Sequence, residues 1–516
     1  MRFNAFVLIL LLTSCYQHNL EDLSIFRYNE TSAINSLDPA FAKDQASVWA
    51  TNQLFNGLVQ LDENLKIKPS IAYDWDIINK GLTYRFFLRT DVYFHEHPIF
   101  VNETRVVTAH DFDYSFGRLL DNKLVAPGRW VLNNVNDFYA ENDSVFVINL
   151  KSVFPAFISL LSMQYCSVIP KEVIELGDFG LNPIGTGPFK FQIWQEGVKM
   201  VLRKNNNYFE YENNERLPYL DAVSISFISD KQSAFMQFIL GNLDFLSGID
   251  ISYKDEILLN DGKLNPKYRS SINLNVSPYL NTEYLGFLMK DSLPIEIRKA
   301  INYGFDRSKM IKYLRNNVGT PAVNGFIPYG MPSFSSIKGF DYNPQKAQKL
   351  IKNSDFDLNT NIILSTTSSY LDLCEYIQNE LKTLGFNISI NINPPSTHRQ
   401  LVATSKLSFF RASWIADYPD AENYLSLFYS KNLSPNGPNY THFQFDEFDD
   451  LYLKSLSEIN DSIRYLIYSK MDKIIIDKSV IVPLYYDQVF RFTQKDIIGL
   501  KNNPINLLDL KRVKKK

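Results

Sequence analysis

A chain of 516 residues that is 45% hydrophobic and 14% aromatic holds enough apolar side chain for two or three cores, which excludes disorder as its main state. Its 53 basic and 56 acidic residues leave a net charge of −3, without the positive footprint that binding to a polyanion requires, so nucleic acid is not an expected partner. The 38 Phe and 30 Tyr would suit a cleft lined by rings with polar tips, although an A/T-rich genome favouring Phe, Tyr, Asn, Ile and Lys accounts for the greater share.

From the N-terminus, Arg2 precedes the apolar run AFVLILLL, followed by Leu12-Thr13-Ser14-Cys15. The run is too short to span a bilayer and ends in small residues before a cysteine, as an export signal with a lipobox does. Residues 1–14 then read as a signal peptide, and 15–22 as a lipidated N-terminus and spacer with the Cys15 thiolate as lipid acceptor. No other segment has the ~20 apolar residues of a membrane helix. The expected location is therefore the cell envelope, exported and anchored by acyl chains.

Next, SVWATNQLFNGLVQL places Val48, Leu54, Phe55, Leu58 and Leu61 on one helical stripe from Ser47 to Leu61. GLTYRFFLR, Gly81 to Arg89, alternates like a strand leaving a Lys80-Gly81 turn. In TAHDFDYSFGRLL, Thr108 and Asp111 form the outline of a capping box. Gly185, Gly187 and Pro188 read as a turn entering a strand, with a second strand from Val198 to Arg203. No Lys-Ser/Thr pair opens a helix there, so the turn is not a phosphate cradle. An amphipathic helix is expected from Asp230 to Phe245, closed by Gly241. Another begins at Asn343, with Pro344 first and Ala347, Leu350 and Ile351 inward. The alternation runs without repeats, an α/β pattern. Cys166 and Cys374 read as buried small apolar residues, and the run from Lys511 to Lys516 as a solvated tail.

Signals of catalysis are thin. Of six histidines, His95 and His97 in FHEHP could clip a metal, but no cysteine or carboxylate set completes a tetrahedral site and a strand-end hairpin fits better. His18, His110, His398 and His442 are isolated, and Asp449-Asp450 suit the start of a helix. No GxSxG elbow, HExxH helix or P-loop is present. Neither an enzyme nor a cofactor is expected.

The most telling stretch is FFRASWIADYPD, Phe409 to Asp420, which sets Arg411, Trp414 and Asp417 among apolar and aromatic residues. A carboxylate removed from water needs a compensating cation. Asp417 must therefore pair with Arg411, with another side chain, or with a ligand.

Eight dispersed segments stand in a telling order: SLDPA at Ser36, QLFNGLVQLDENLKIKPSIAYDW to Trp75, GLTYRFFLR, TAHDFDYSF, NPIGTGPFKF, KNNNYF, IRKAINYGFDRSKMI at Ile297, and WIADYPDAENYLSLF. Over nearly the whole mature length they resemble the bacterial extracellular solute-binding proteins of family 5, which deliver peptides to ABC importers. The resemblance implies an α/β, two-lobed Venus-flytrap fold with an extra α/β domain in the first lobe. Lobe I would comprise 23–54, 182–276 and 488–516, the extra domain 55–181, and lobe II 277–487. It further implies that Asp417 pairs with the α-ammonium group of a peptide, that Trp414 lines the adjoining pocket, and that Arg411 reaches ligand groups. Around Asp44, Gln45 and Ala46, and at Tyr279, Leu280 and Asn281, backbone groups would pair with an extended ligand. Tyr486 falls where a cleft tyrosine is common.

Two departures stand out. Pro419-Asp420-Ala421 replaces the usual acid-proline pair after Asp417-Tyr418, and HEHPIFVNETRVV is longer than the hairpin usual there. The implied protein is a monomer that captures di- to oligopeptides and hands them to a permease and its ATPase subunits, held to the membrane by its lipid. The alternatives are a metal chelate, opine or sugar derivative as ligand, a non-transporting surface receptor, or an anchored hydrolase.

Overall fold

A computed structural model describes residues 23–516 apart from 251 and 292. The expected export signal, Cys15 and His18 lie outside the described residues. Among the described residues no helix is long and apolar enough to cross a membrane.

Two long antiparallel strands, Ile272–Phe287 and Ile481–Gln494, form the spine. The second is buried along nearly its whole length, and its first half, IVPLYY, is continuously apolar, as expected for a strand covered on both faces. On one side of the spine the sheet continues through Phe245–Ser247, Ile25–Asn29, Ala222–Ser226, Lys199–Lys204 and Phe189–Gln195. On the other it continues through Phe409–Ile415, Ile362–Thr366 and Ile388–Ile392. Each side is an α/β lobe, and the spine strands run from one into the other. Two defects lie where they cross. The ladder skips Leu484 beside Pro483, which has no N–H to donate, and Tyr279, Leu280 and Asn281 stand opposite Asp487 alone.

A separate four-stranded antiparallel sheet, Ala72–Ile78, Thr83–Leu88, Val145–Leu150 and Val135–Asn142, packs on the first lobe. Its core, with Phe86, Phe112, Phe116 and Phe146, is continuous with that lobe's core of Phe26, Trp49, Leu54 and Phe245. The second lobe has its own centres around Leu285, Ile301 and Ile377 and around Phe326, Tyr424 and Met471. Tyr418 belongs to the second lobe by sequence yet packs into the first-lobe core, its ring centroid 6.4 Å from that of Trp130. The two lobes therefore touch across the gap between them.

Local signals formed as expected where they rest on neighbouring residues. Thr108 and Asp111 make a reciprocal capping box at the helix Ala109–Leu120. Asp230 caps Lys231–Ile239 through the Ser233 N–H, and Asn343 caps Pro344–Lys352 through the Lys346 N–H. Lys80 and Gly81 turn with positive φ before Thr83–Leu88. Cys166 and Cys374 are buried free thiols.

Two expectations are corrected. The helix expected over Ser47 to Leu61 is Gln45–Leu54, and Val59–Leu61 is a strand. The turn at Gly185 to Gly187 seats on the helix end, with the Gly187 N–H donating to the Leu54 carbonyl at 2.8 Å. A Cβ on Gly185 would lie 2.0 Å from that carbonyl oxygen, so the glycines are there for close approach. His95, 2% exposed, buttresses the same turn through the Gly185 N–H and the Gly187 carbonyl. The C-terminal basic run is docked, not solvated. Lys511 pairs with Glu210, Arg512 with Glu212, Lys514 with Glu215 and Lys515 with Asp244. Three of these acids lie on and beside the hairpin formed by Tyr211–Glu212 and Glu215–Arg216.

Candidate functional site

In open α/β sheets, ligands lodge beyond the carboxyl ends of parallel strands. In the first lobe Ile25–Asn29 runs parallel to Ala222–Ser226 and to Phe245–Ser247, and its carboxyl end leads into Glu30 and onward to Asp44. In the second, Ile362–Thr366 runs parallel to Ile388–Ile392 and Phe409–Ile415, and the last of these leads into Asp417. The spine's irregular step at Tyr279 to Asn281 joins the two. Tyr165, from the extra sheet's side of the molecule, marks how near the lobes come: after burial, the Asp417 and Asp44 charges push its phenol up to about 12.

The loop carrying Asp417 is held by one amide. Asn423, 5% exposed, accepts at Oδ1 from the Trp414 indole at 2.8 Å and from the Asp417 backbone N–H at 3.2 Å, and its Nδ2 donates to the Asp417 carboxylate at 3.3 Å. Asn423 in turn is fixed by a buried network. Tyr418 and Tyr452 donate to Glu422, while Tyr468 donates to Asp420 at 2.7 Å and Arg464 faces the same carboxylate at 3.4 Å. The Pro419-Asp420-Ala421 departure thus supplies the acid that anchors the loop. The Asp417 side chain is exposed on the gap, yet the protein atoms around it raise its pKa by desolvation against the weaker pull of Asn423. No cation faces it among the described residues.

Arg411 is not its partner. The guanidinium pairs with Glu283, its Nε 3.0 Å from Oε2, and lies over the Tyr370 ring with 3.3 Å to the centroid. The register explains the meeting: Leu285 stands opposite Arg411, so Glu283 is its diagonal neighbour on the same face. Although burial works against the charged form, Glu283 and Tyr370 hold Arg411 above its usual pKa. Beside the pair, Arg315 faces Asp487 at 3.3 Å. Asn281, 4% exposed, leaves its Oδ1 unpartnered, with Nδ2 at 3.4 Å from both Glu283 and Asp487.

The remaining sequence candidates divide. Burial, then the Asp487 charge, pushes the half-buried Tyr279 up to about 12. Leu280 is sealed: its N–H donates to Pro504, and its carbonyl accepts from Ala416 and Tyr424. Tyr486 is equally sealed, its hydroxyl on the Gly325 carbonyl at 2.9 Å. Asp44 caps Gln45–Leu54 by accepting from the Ser47 N–H at 3.0 Å and hydroxyl at 3.2 Å, with Gln45 exposed and Ala46 buried. Glu30, Tyr165, Glu283 and Asn423 were not singled out from sequence. An acid following the strand IFRYN, and another within YLNTEYLGF, were the available signals. Among the described residues no group of three or more His, Cys, Asp or Glu is arranged to hold a metal ion.

Residues 66–436 match the model of the bacterial extracellular solute-binding proteins, family 5 middle region. The chain is 23% identical over 528 residues to the dipeptide-binding protein DppE of Bacillus subtilis, covering 94% of this chain and 90% of that protein. It is 24% identical over 482 residues to the glutathione-binding protein GsiB of Escherichia coli, covering 91% and 90%. Among solved structures it resembles the periplasmic binding protein DppA of Helicobacter pylori in complex with the peptide STSA, with a TM-score of 0.75 at 23% identity over 95% of this chain and 98% of that one.

Proposed function

The chain belongs to the bacterial extracellular solute-binding proteins of family 5, and from that membership we propose that it captures short peptides between its lobes and delivers them to an ABC permease. The observation that carries this reading is Asp417. It is a carboxylate held in place by Asn423, raised in pKa by the protein around it and, among the described residues, without a cation of its own. A peptide's α-ammonium is the cation it lacks, and every peptide has one. The rest of an extended peptide offers N–H and C=O groups for which the backbone near Asp44 and Tyr279 would supply partners, with water in the side-chain pockets accommodating varied residues. Arg411 acts here as part of the cleft wall, its charge satisfied by Glu283.

The proposed division takes lobe I as 23–54, 182–276 and 488–516, the extra domain as 55–181 and lobe II as 277–487, because the two spine strands lead from one core to another. Contacts such as Trp130 with Tyr418 form only when the lobes approach, so occupancy would be translated into a joined surface for the permease. The lipobox at Cys15 would keep the monomer near that permease. No catalytic step is required. Native mass spectrometry of freshly purified protein tests the reading: intact short peptides released from the cleft support it, and release of a single non-peptide ligand would replace it.

A further inference from the structure

We propose that Glu30 and Asp44 form a second cation site on the first-lobe side of the cleft, selecting peptides with a basic side chain near the amino end. The inference rests on the peptide reading and adds a substrate class to it.

Glu30 is held in place by its backbone, whose N–H donates to the Ser226 carbonyl at 2.9 Å. The residue is 9% exposed, with Oε1 sealed and unpartnered. The Tyr28 hydroxyl, on a fully buried ring, is also without a partner and lies within electrostatic reach of the Glu30 carboxyl. Buried polar groups are nearly always bonded, so two orphans on alternate residues at the carboxyl end of a parallel strand point to a missing occupant.

The sign of that occupant follows from the charges. Asp44 is the neighbouring charge, and its own bonds run only to the Ser47 N–H and hydroxyl among the described residues. The basic residue beside it in sequence, Lys43, is exposed and pairs with neither acid. Burial first and Asp44 second push Glu30 up to about 8, with no cation among the described residues to oppose them. A ligand cation would reverse this by forming a charge-assisted bond with Glu30 and relieving its repulsion from Asp44. It is not the α-ammonium, which Asp417 receives from the other lobe. Tyr165 feels both Asp417 and Asp44, so the second charge would lie within reach of the peptide's first.

Calorimetry with tripeptides differing only in lysine or norleucine at the first or second position tests this in the intact protein and in Glu30→Gln. Lysine should bind at least about tenfold more tightly than norleucine at one of the two positions, a ratio that collapses toward one in the variant. Equal affinities at both positions, or an undiminished ratio in Glu30→Gln, overturn the proposal while peptide capture stands. Failure of every tripeptide to bind overturns both. If Glu30→Gln does not fold, Asp44→Asn, which keeps a helix cap, supplies the same comparison.

Discussion

Arg411 is bonded to Glu283 on the adjacent strand, not to Asp417 six residues further along its own chain. That pairing leaves Asp417 open to a guest. Were the guanidinium turned the other way, the cleft would hold a satisfied acid and an unpaired Glu283, and its polarity toward a peptide would be inverted.

The pair itself is structural. Arg411 and Glu283 are 12% and 3% exposed at their side chains, so removing one strands the other in a poorly hydrated place. Glu283→Gln should lower stability by about 3–5 kcal/mol in chemical denaturation. A loss below about 1 kcal/mol, as for an exposed pair, would show that Arg411 readily finds another partner.

Asn423 holds both Trp414 and Asp417. Asn423→Leu keeps the volume but removes the acceptor for the indole and both bonds to Asp417, so peptide affinity should fall about tenfold while stability drops by about 1–3 kcal/mol. Unchanged affinity would mean that the loop keeps its shape without the amide.

Two glycines separate close approach from mere flexibility. A Cβ at Gly185 meets the Leu54 carbonyl oxygen at 2.0 Å, whereas at Gly117, in the helix Ala109–Leu120, it meets nothing within 4 Å. Gly185→Ala should cost about 3 kcal/mol or more, and Gly117→Ala should stabilise by roughly 0.5–1 kcal/mol. Melting temperatures that move in the same direction would contradict the packing described for the turn.

Glu30 gives the ligand-free protein a pH dependence. Burial, with Asp44 second, lifts its pKa from 4.5 to about 8, so the folded chain holds a proton that the unfolded chain releases earlier. The stabilisation is complete below the ordinary glutamate range and is lost as pH rises through about 8. Asp472, raised to about 7 chiefly by burial, adds in the same sense, so the Glu30 contribution is the difference between the protein and Glu30→Gln. The melting curve of the variant should fall less steeply over this window. Parallel curves would place Glu30 in contact with water.

What was legible in the sequence was what neighbours decide. The caps at Thr108, Asp230 and Asn343 depend on a side chain and an N–H three positions on, and each formed. The helix over Ser47 to Leu61 was overdrawn because apolar spacing continues past Leu54, while the turn that stops it comes from Gly185 and Gly187. Likewise the basic C-terminus reads as solvated until Glu210, Glu212 and Glu215, some three hundred residues earlier, arrive beside it. At the site, Asp417 announced itself by an acid's need for a counter-charge. The partner of Arg411 did not, because Glu283 is 128 positions away and only strand register brings it near.

The central claim, that Asp417 receives a peptide's α-ammonium, is tested most directly by calorimetry of one tripeptide and its N-acetylated form against the protein and Asp417→Asn. The account predicts that either change alone weakens binding by about 2–5 kcal/mol, the range for truncating one partner of a buried charge pair, and that both together weaken it little further. Equal affinity of the free and acetylated peptides for the unaltered protein would contradict it.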